Sequence, residues 1–269
     1  MGWGAFWNGR TTIYVNEQHR RVHYEQIAHD IVSLVPSGDM RVLDFGCGEA
    51  LSADFVAHQC SKLVLCDEAE IVRLGLAQRH ANCDRISVAS PADVAGMPDE
   101  SFDVIIVNSV IQYLGQAQLA PLLTQWRRLL APAGMLVLGD LIPHDVTALT
   151  DASALLRFAH ANGFLVTACT GLIKTFFSDY RRKRAELGLL RFNEPEILSL
   201  LRSCGFEADR HPQNMGHNPA RMTITARVCK RRTAVEPAPD TLVHHQRARE
   251  RARPFEEVDI ALLGINQAG

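Results

Sequence analysis

Long apolar runs are missing from this chain of 269 residues. No segment offers the roughly 18 consecutive apolar residues that a membrane-spanning helix needs. The N-terminus has neither the charged region nor the long apolar region of a signal peptide. Phe6 stands where an N-myristoylation signal needs Ser or Thr. We therefore expect a soluble, cytoplasmic protein with no membrane partner.

A charge excess of one sign is missing as well. The 28 basic and 30 acidic residues leave a formal net charge of -2 and a pI of about 6.6. The chain as a whole therefore produces no field that would attract nucleic acid. Basic clusters at 181–184 and 247–253 are interpreted as solvated faces, and a nucleic-acid partner is not expected.

Paired cysteines are also missing. The seven cysteines form no C-x-x-C pair, which argues against a zinc site, and we expect no bound metal. Several cysteines lie in apolar runs, such as Cys66 at the end of Leu63–Cys66. They are predicted to be small buried side chains of a protein in a reducing compartment.

A regular alternation of strand-like and helix-like segments is present between residues 41 and 141. The strand-like runs are 41–45, 62–66, 85–89, 102–108 and 134–141, and the helix-like stretches between them are about 49–59, 69–80 and 116–130. The strands are short, continuous apolar runs, which is typical of a parallel sheet covered on both faces. With right-handed crossovers, this pattern predicts a doubly wound α/β sheet.

The alternation stops after Leu141. A mostly helical insertion follows at about 145–192, and a capped helix from Asn193 and two closing strands, 206–210 and 221–229, complete the sheet. The insertion would lie above the carboxyl ends of the strands, where such folds bind ligands. The predicted domain organisation is an N-terminal segment 1–36, a main domain 37–229 and a charged, Pro-rich tail 230–269, whose apolar stretch 258–265 makes a homodimer plausible.

The turn after the first strand reads Asp44-Phe45-Gly46-Cys47-Gly48. Its two glycines allow a sharp turn and the close approach of a ligand, and the helix that follows points free N–H groups at the same space. A dinucleotide-binding turn would have a third glycine where this chain has Leu51. The Asp44 carboxylate would repel a diphosphate but attract the ammonium group of S-adenosylmethionine. S-adenosylmethionine is therefore the favoured ligand, with a dinucleotide and a ligand-free turn as alternatives.

Three further segments follow the next strands. Asp67 lies about 20 residues past the glycine turn, the spacing at which an acid meets ribose hydroxyls in such folds. Its neighbour Glu68 is the alternative, and Asp67 could instead cap the next helix. Ala92 and Asp93 are candidates for the adenine edge or for a polar loop, and Asn108 ends the fourth strand where it would face the methyl donor.

Taken together, these motifs resemble the class I S-adenosylmethionine-dependent methyltransferases over about residues 25–229. The resemblance rests on D-x-G-x-G, the acid after the second strand, P-D-x-S-F-D at 98–103, N-S-V-I-Q-Y-L at 108–114 and L-x-P-x-G at 130–134. It implies a seven-stranded, mostly parallel sheet with a reversed last hairpin and an N-terminal segment that often closes over the cofactor, and it matches the helical insertion least well. The cofactor contacts that we expect are Tyr14, Asp44, Gly46, Cys47, Gly48, Asp67, Glu68, Ala92, Asp93 and Asn108.

The segment after the fourth strand bears on the methyl acceptor. The [DN]-P-P-[YF] pattern of enzymes that methylate amino groups of nucleobases or glutamine is absent, and so is the Pro-Cys pair of C5-pyrimidine enzymes. The segment is closer to small-molecule and quinone-type enzymes, and Tyr113 and Asp140 are expected to shape the substrate pocket. An RNA or protein methyltransferase and a non-catalytic S-adenosylmethionine-binding module are the alternatives.

Methyl transfer from a sulfonium requires mainly positioning and a dry pocket for in-line displacement. A hydroxyl or amine acceptor adds the need for a base, for which histidine suits neutral pH. His144, just after the fifth strand, and His19, in the N-terminal segment, are the predicted candidates. His23 and Tyr24 lie in the same N-terminal segment, and His217 lies in a loop before the last strand.

Overall fold

The computed structural model describes residues 14–176 and 188–229. Four features discussed from the sequence lie outside the described residues: the segment before residue 14, the basic cluster at 181–184, the basic cluster at 247–253 and the tail from residue 230 with its apolar stretch 258–265. In the described parts of the chain, no helix combines the length and the apolar character needed to cross a membrane.

Seven strands form one sheet in the order β3-β2-β1-β4-β5-β7-β6. Strands β1 to β5 run parallel, and β7 is antiparallel to both β5 and β6. The strands are β1 Arg41–Phe45, β2 Lys62–Cys66, β3 Ile86–Ala89, β4 Phe102–Asn108, β5 Leu130–Leu141, β6 Phe206–Arg210 and β7 Met222–Val228. The predicted doubly wound sheet and its reversed last hairpin are confirmed.

The helices lie between these strands in the predicted alternation. They are α1 Glu17–Leu34, α2 Ala53–Ala57, α3 Glu70–Arg79, α4 Pro91–Ala95, α5 Gln116–Leu129, α6 Ala148–Ala161, α7 Leu165–Phe176 and α8 Glu194–Ser203. The helix predicted at 49–59 was too long, because Ala50 takes φ +39° and the glycine turn extends to the beginning of α2. The α4 helix was missed, since it has five residues and no apolar periodicity.

The core covers both faces of the sheet, as the continuous apolar strands predict. On one face Phe45 of β1 packs edge-on against Trp126 of α5, with ring centroids 5.3 Å apart. On the other face Val42, also of β1, packs in a cluster with Ile31 of α1. Because both faces are filled, a ligand has access only at the strand ends, which is where the turns with unusual backbone geometry lie.

The helical insertion is joined to the beginning of α1. Phe164 and Ala168 of the insertion form a small buried cluster against Val15, and the Gln18 side chain donates to the Asn162 carbonyl at 2.6 Å. The N-terminal segment and the insertion therefore form one covering layer at the carboxyl ends of the strands.

Candidate functional site

The glycine turn follows β1 and needs glycine at two positions. Gly46 and Gly48 take φ +79° and +58°, a region that residues with a Cβ rarely adopt. A Cβ on Gly46 would overlap Val110 Cγ2, and a Cβ on Gly48 would lie 2.7 Å from the Tyr24 hydroxyl oxygen. The backbone N–H of Gly46 donates to the Cys66 carbonyl of β2 at 2.7 Å. The turn is therefore fixed between β2, α1 and the segment after β4.

Asp67 supports this turn with its side chain. Its carboxylate accepts from the Gly48 N–H at 3.0 Å and from the Ala69 N–H at 2.8 Å. One carboxylate thus ties the glycine turn to the residue before α3. Asp67 does not cap this helix, because Ala69 is the N-cap and the helix has no side-chain cap hydrogen bond. Burial raises the pKa of Asp67. Its neighbour Glu68 is exposed. Contact of either acid with ribose stays a prediction.

Asp44 is a buried carboxyl with no counter-charge. It is 8% exposed, and no hydrogen bond or ion pair to it occurs among residues 14–176 and 188–229. Burial, and secondarily the charge of Asp67, raises the pKa of Asp44 to about 7. A carboxyl in this setting favours the arrival of a cation. Beside it, the Cys47 thiol is buried and burial raises its pKa, so this side chain stays neutral.

Helix α1 covers the glycine turn through two side chains that the sequence analysis did not assign to the cofactor. The Tyr24 hydroxyl accepts from the Glu49 N–H at 2.9 Å, and Arg20 pairs with the Glu49 carboxylate at 2.9 Å. Arg20 and Tyr24 are four residues apart in the sequence, and this spacing predicts that both side chains lie on one face of the helix. Tyr24 also shares a hydrogen bond with Tyr14, whose pKa burial raises to about 12. Tyr14 thus reaches the turn through Tyr24, and its contact with the cofactor stays a prediction.

Asn108 and its neighbour Ser109 lie at the carboxyl end of β4. The Asn108 side-chain oxygen is buried and has no hydrogen-bond partner in the described residues. Ser109 takes φ +57°, and its hydroxyl donates to the Asp140 carboxylate at 2.6 Å. An unsatisfied buried oxygen at the end of the strand next to β1 is a functional signal, because such groups are costly and rare.

Asp140, at the end of β5, is the centre of a buried polar network. It takes φ +59° and accepts from Arg221 at 2.6 Å and from the Asn214 amide at 3.2 Å. Arg221 also pairs with Asp151 of α6 at 3.0 Å, and the two acids raise the pKa of its guanidinium against the effect of burial. The sequence analysis found Asp140 but missed Arg221, Asn214 and Asp151, which lie far apart along the chain.

Three histidines, named here the histidine cluster, meet above this network: His19, His23 and His217. The His19 ring lies 6.4 Å from His23 and 6.5 Å from His217, measured between centroids. His19 stacks on Phe164 at 5.2 Å, and His217 stacks on Phe158 at 4.9 Å. Burial lowers the pKa of His19 and of His23 to about 4, so the imidazoles are neutral at pH 7.

The structure does not bring every predicted residue to this place. His144 has a side chain that is 52% exposed, and its Nε2 pairs with Glu196 of α8 at 3.1 Å. The Asp93 carboxylate accepts from the N–H and the hydroxyl of Ser90 and so caps α4, and it is exposed. Tyr113 lies half-buried in the 3-10 turn after β4. Roles for His144 in proton transfer and for Ala92 or Asp93 at adenine stay predictions.

Comparison with known proteins bears on the central strands. Residues 43–138 match the protein family described as "Methyltransferase domain". This segment is a methyltransferase domain. The resemblance predicted from the motifs is confirmed, and so is the fold that the resemblance implied.

The methyltransferase domain has relatives of known names. The chain is 28% identical over 141 residues to "Ubiquinone biosynthesis O-methyltransferase" of Rhizobium etli. The aligned segment covers 51% of this chain and 54% of the relative. The chain therefore spans about half the length of the curated relatives it matches. Among solved structures, magnesium protoporphyrin IX methyltransferase of Synechocystis PCC 6803 has a TM-score of 0.53 at 16% identity, covering 83% of this chain and 92% of that one. The 1,6-didemethyltoxoflavin-N1-methyltransferase of Burkholderia thailandensis has a TM-score of 0.50 at 18% identity, covering 77% and 79%.

The boundary of the matched segment divides the site. Asp44, the glycine turn, Asp67 and Asn108 lie within the methyltransferase domain. The histidine cluster and the network of Asp140, Asp151 and Arg221 lie outside residues 43–138. One half of the candidate site therefore lies within the family match, and the other half lies outside it.

Proposed function

We propose that this chain is an S-adenosylmethionine-dependent methyltransferase that acts on a small-molecule acceptor. The observation that carries the proposal is the uncompensated Asp44 carboxyl beside the glycine turn, at the carboxyl end of β1. A ligand with a cationic amino-acid group supplies the charge that this carboxyl lacks. A diphosphate would add a second negative charge to the same place, which opposes a dinucleotide.

The donor set of the site fits the cofactor. Asp44 would hold the cationic amino-acid end, and the backbone of the glycine turn would lie beside the ligand. Asn108 offers a buried oxygen without a partner among the described residues. Asp67 would accept from ribose hydroxyls while it keeps its bonds to Gly48 and Ala69, because each carboxylate oxygen can accept more than one hydrogen bond. When bound, S-adenosylmethionine supplies an activated methyl group on a sulfonium.

The chain's own residues bind, orient and exclude water. Helix α1 covers the glycine turn through Tyr24 and Arg20, and the insertion packs beside its N-terminal end through Phe164. A covered site favours in-line displacement at the methyl group, because water is kept from the reacting atoms. Enclosure by helices also favours a small acceptor over a macromolecule, and the described residues include no open basic groove for RNA.

Calorimetry tests this proposal. We expect the full chain to bind S-adenosylmethionine and its demethylated product, S-adenosylhomocysteine, and not NAD. Asp44→Asn should lose most of the affinity, whereas Asp145→Asn, an exposed acid after β5, should bind as the parent does. Binding of NAD but of neither sulfur compound would overturn the proposal. Binding without turnover across a broad acceptor panel would favour the non-catalytic alternative.

Two further proposals concern the setting of the protein. All seven cysteines are free thiols, which supports the cytoplasmic location expected from the sequence. A homodimer formed through residues 258–265 is also retained as a proposal, which analytical ultracentrifugation of the full chain and of a chain ending at residue 257 would test.

A further inference from the structure

The neighbouring strands β4 and β5 share an unusual backbone geometry at their carboxyl ends. Asn108 of β4 pairs in register with Gly139 of β5, and the residues that follow them, Ser109 and Asp140, take φ +57° and +59°. The Ser109 N–H donates to the Gly139 carbonyl at 3.1 Å, and the Ser109 hydroxyl donates to the Asp140 carboxylate at 2.6 Å. Residues with a Cβ persist in this conformation only where their surroundings hold them in it.

The segment that Ser109 belongs to contacts the glycine turn. Val110, the next residue, has its Cγ2 where a Cβ on Gly46 would lie. Asn108, the preceding residue, has its buried side-chain oxygen where a Cβ on Gly139 would lie. A change of the backbone angles at Ser109 would therefore move Val110 relative to both the glycine turn and Asn108. The conformation of this one residue sets how the end of β4 packs on the glycine turn.

Asp140 is itself held in place by donors from other parts of the chain. It is 8% exposed, and its carboxylate accepts from Arg221 at 2.6 Å and from the Asn214 amide at 3.2 Å, in addition to the Ser109 hydroxyl. Arg221 is bonded in turn to Asp151 of α6 at 3.0 Å. A buried carboxylate with three donors has little freedom to rotate. It therefore offers Ser109 a fixed acceptor.

The residue type at position 109 distinguishes positioning from a general role in folding. Arg221 has a second acid in Asp151, so neutralising this guanidinium does not by itself require the bond from Asp140 to Ser109. Glycine adopts φ +57° without support, whereas serine has a Cβ that opposes this angle. The hydroxyl bond to Asp140 is thus needed only because residue 109 is not glycine.

We propose that Asp140 is a positioning residue for the methyl-donor site, and that its bond to the Ser109 hydroxyl holds residues 108–110 against the glycine turn. This inference rests on the proposed function, which has S-adenosylmethionine bind beside that turn. Asp140 acts through Ser109 and Val110 and takes no part in the transfer itself. Because Arg221 joins Asp140 to Asp151, the same network ties α6 of the insertion to the donor side of the site.

Two substitutions of Ser109 test the proposal through binding. Calorimetry of the full chain with S-adenosylhomocysteine measures the affinity. Ser109→Ala removes the hydroxyl and keeps a Cβ, and it should lower the affinity by about tenfold, the size of the penalty for a Cβ in the left-handed conformation. Ser109→Gly also removes the hydroxyl, but it should lower the affinity by less than about threefold, because glycine needs no support at this angle.

Glu100 provides the matched control. It is exposed and takes φ +58° before the other end of β4. Glu100→Ala and Glu100→Gly therefore make the same pair of backbone changes away from the site, and both should bind S-adenosylhomocysteine as the parent does.

A double-mutant cycle then assigns the effect to Asp140. Asp140→Ala should lower the affinity by about tenfold in the parent chain and by less than about threefold in the Ser109→Gly chain. Equal losses in the two chains would overturn the proposal, because a general structural defect does not depend on residue 109. Equal losses for Ser109→Ala and Ser109→Gly would overturn it as well, and this comparison decides the matter if Asp140→Ala fails to fold. Failure of the parent chain to bind either S-adenosylmethionine or S-adenosylhomocysteine would instead refute the proposed function.

Discussion

Asp44→Asn should make the free protein more stable at pH 8 while it removes cofactor binding. In the folded chain the pKa of Asp44 is raised from 3.8 to about 7. The folded state therefore holds this proton more tightly than the unfolded state, and ionising the group costs stability as the pH rises from about 4 to about 7. Above about pH 7, the full free-energy cost of ionising Asp44 lowers the stability of the folded chain. Asparagine has the same shape and cannot ionise, so the variant avoids the cost.

The magnitude follows from the size of the shift. Each pKa unit corresponds to about 1.4 kcal/mol, so a shift of about three units gives an upper bound of about 4 kcal/mol at pH 8. Asp44 is almost fully buried, so little of this is lost to solvent screening. Replacing the carboxyl by an amide also adds a cost for unmade hydrogen bonds, but that cost does not depend on pH. The difference between two pH values therefore isolates the ionisation.

Urea unfolding at pH 5 and at pH 8 measures this effect. The parent chain should lose stability relative to Asp44→Asn between the two pH values, and the Asp145→Asn control should follow the parent. A difference between parent and Asp44→Asn that is the same at both pH values would refute the assigned pKa. The same ionisation predicts that S-adenosylmethionine binding to the parent at pH 6 releases a proton. Calorimetry in buffers of different ionisation enthalpy would detect that release.

Three other substitutions test the rest of the site. Gly48→Ala should weaken S-adenosylmethionine binding and lower stability by about 1–2 kcal/mol, because the new Cβ meets the Tyr24 hydroxyl at positive φ. The control Gly75→Ala adds a Cβ in open space within α3 and should be neutral or stabilising in a thermal melt. Asp140→Asn should lower the pKa of His217, since it removes a facing carboxylate. An NMR titration of the histidine ring nitrogens should therefore show the His217 midpoint move to lower pH, and no movement would contradict the network. His144→Gln should leave turnover unchanged, because its partner is the exposed Glu196 of α8, and a large loss would return His144 to the role of base.

The fold and the position of the glycine turn could be predicted from the sequence because local patterns determine them, and the contacts of that turn with the cofactor stay a prediction. Asp44 and the two glycines are consecutive in the chain, and the positive φ angles of the turn follow from residue types that tolerate them. The strand β1 ends at the predicted residue for a similar reason, since a continuous apolar run gives way to a turn signal. The short α2 is the exception, because the extended turn left few residues for a helix.

The residues of the other half of the candidate site, which lies outside the family match, could not be grouped from the sequence, because they lie far apart along the chain. His19 and His217 are 198 positions apart, and the Asp140, Asp151 and Arg221 network joins β5, α6 and the segment before β7. Single histidines in separate segments form no sequence pattern that predicts their proximity in the folded chain. His144, which follows β5 directly, was the more obvious candidate for that reason, yet its imidazole pairs at the surface with α8. A position next to a strand end in the sequence therefore does not by itself bring a side chain to the other residues of the candidate site.

This division explains how far the relatives can guide the choice of acceptor. The family match covers residues 43–138, which hold Asp44, the glycine turn, Asp67 and Asn108, the residues that we propose for the methyl donor. The histidine cluster and the network around Asp140 lie outside that segment. A relative that shares the matched segment shares the residues that we propose for the methyl donor, and the family match by itself does not identify an acceptor. The acceptor of this chain is therefore better sought by assay of a broad acceptor panel than from the names of its relatives.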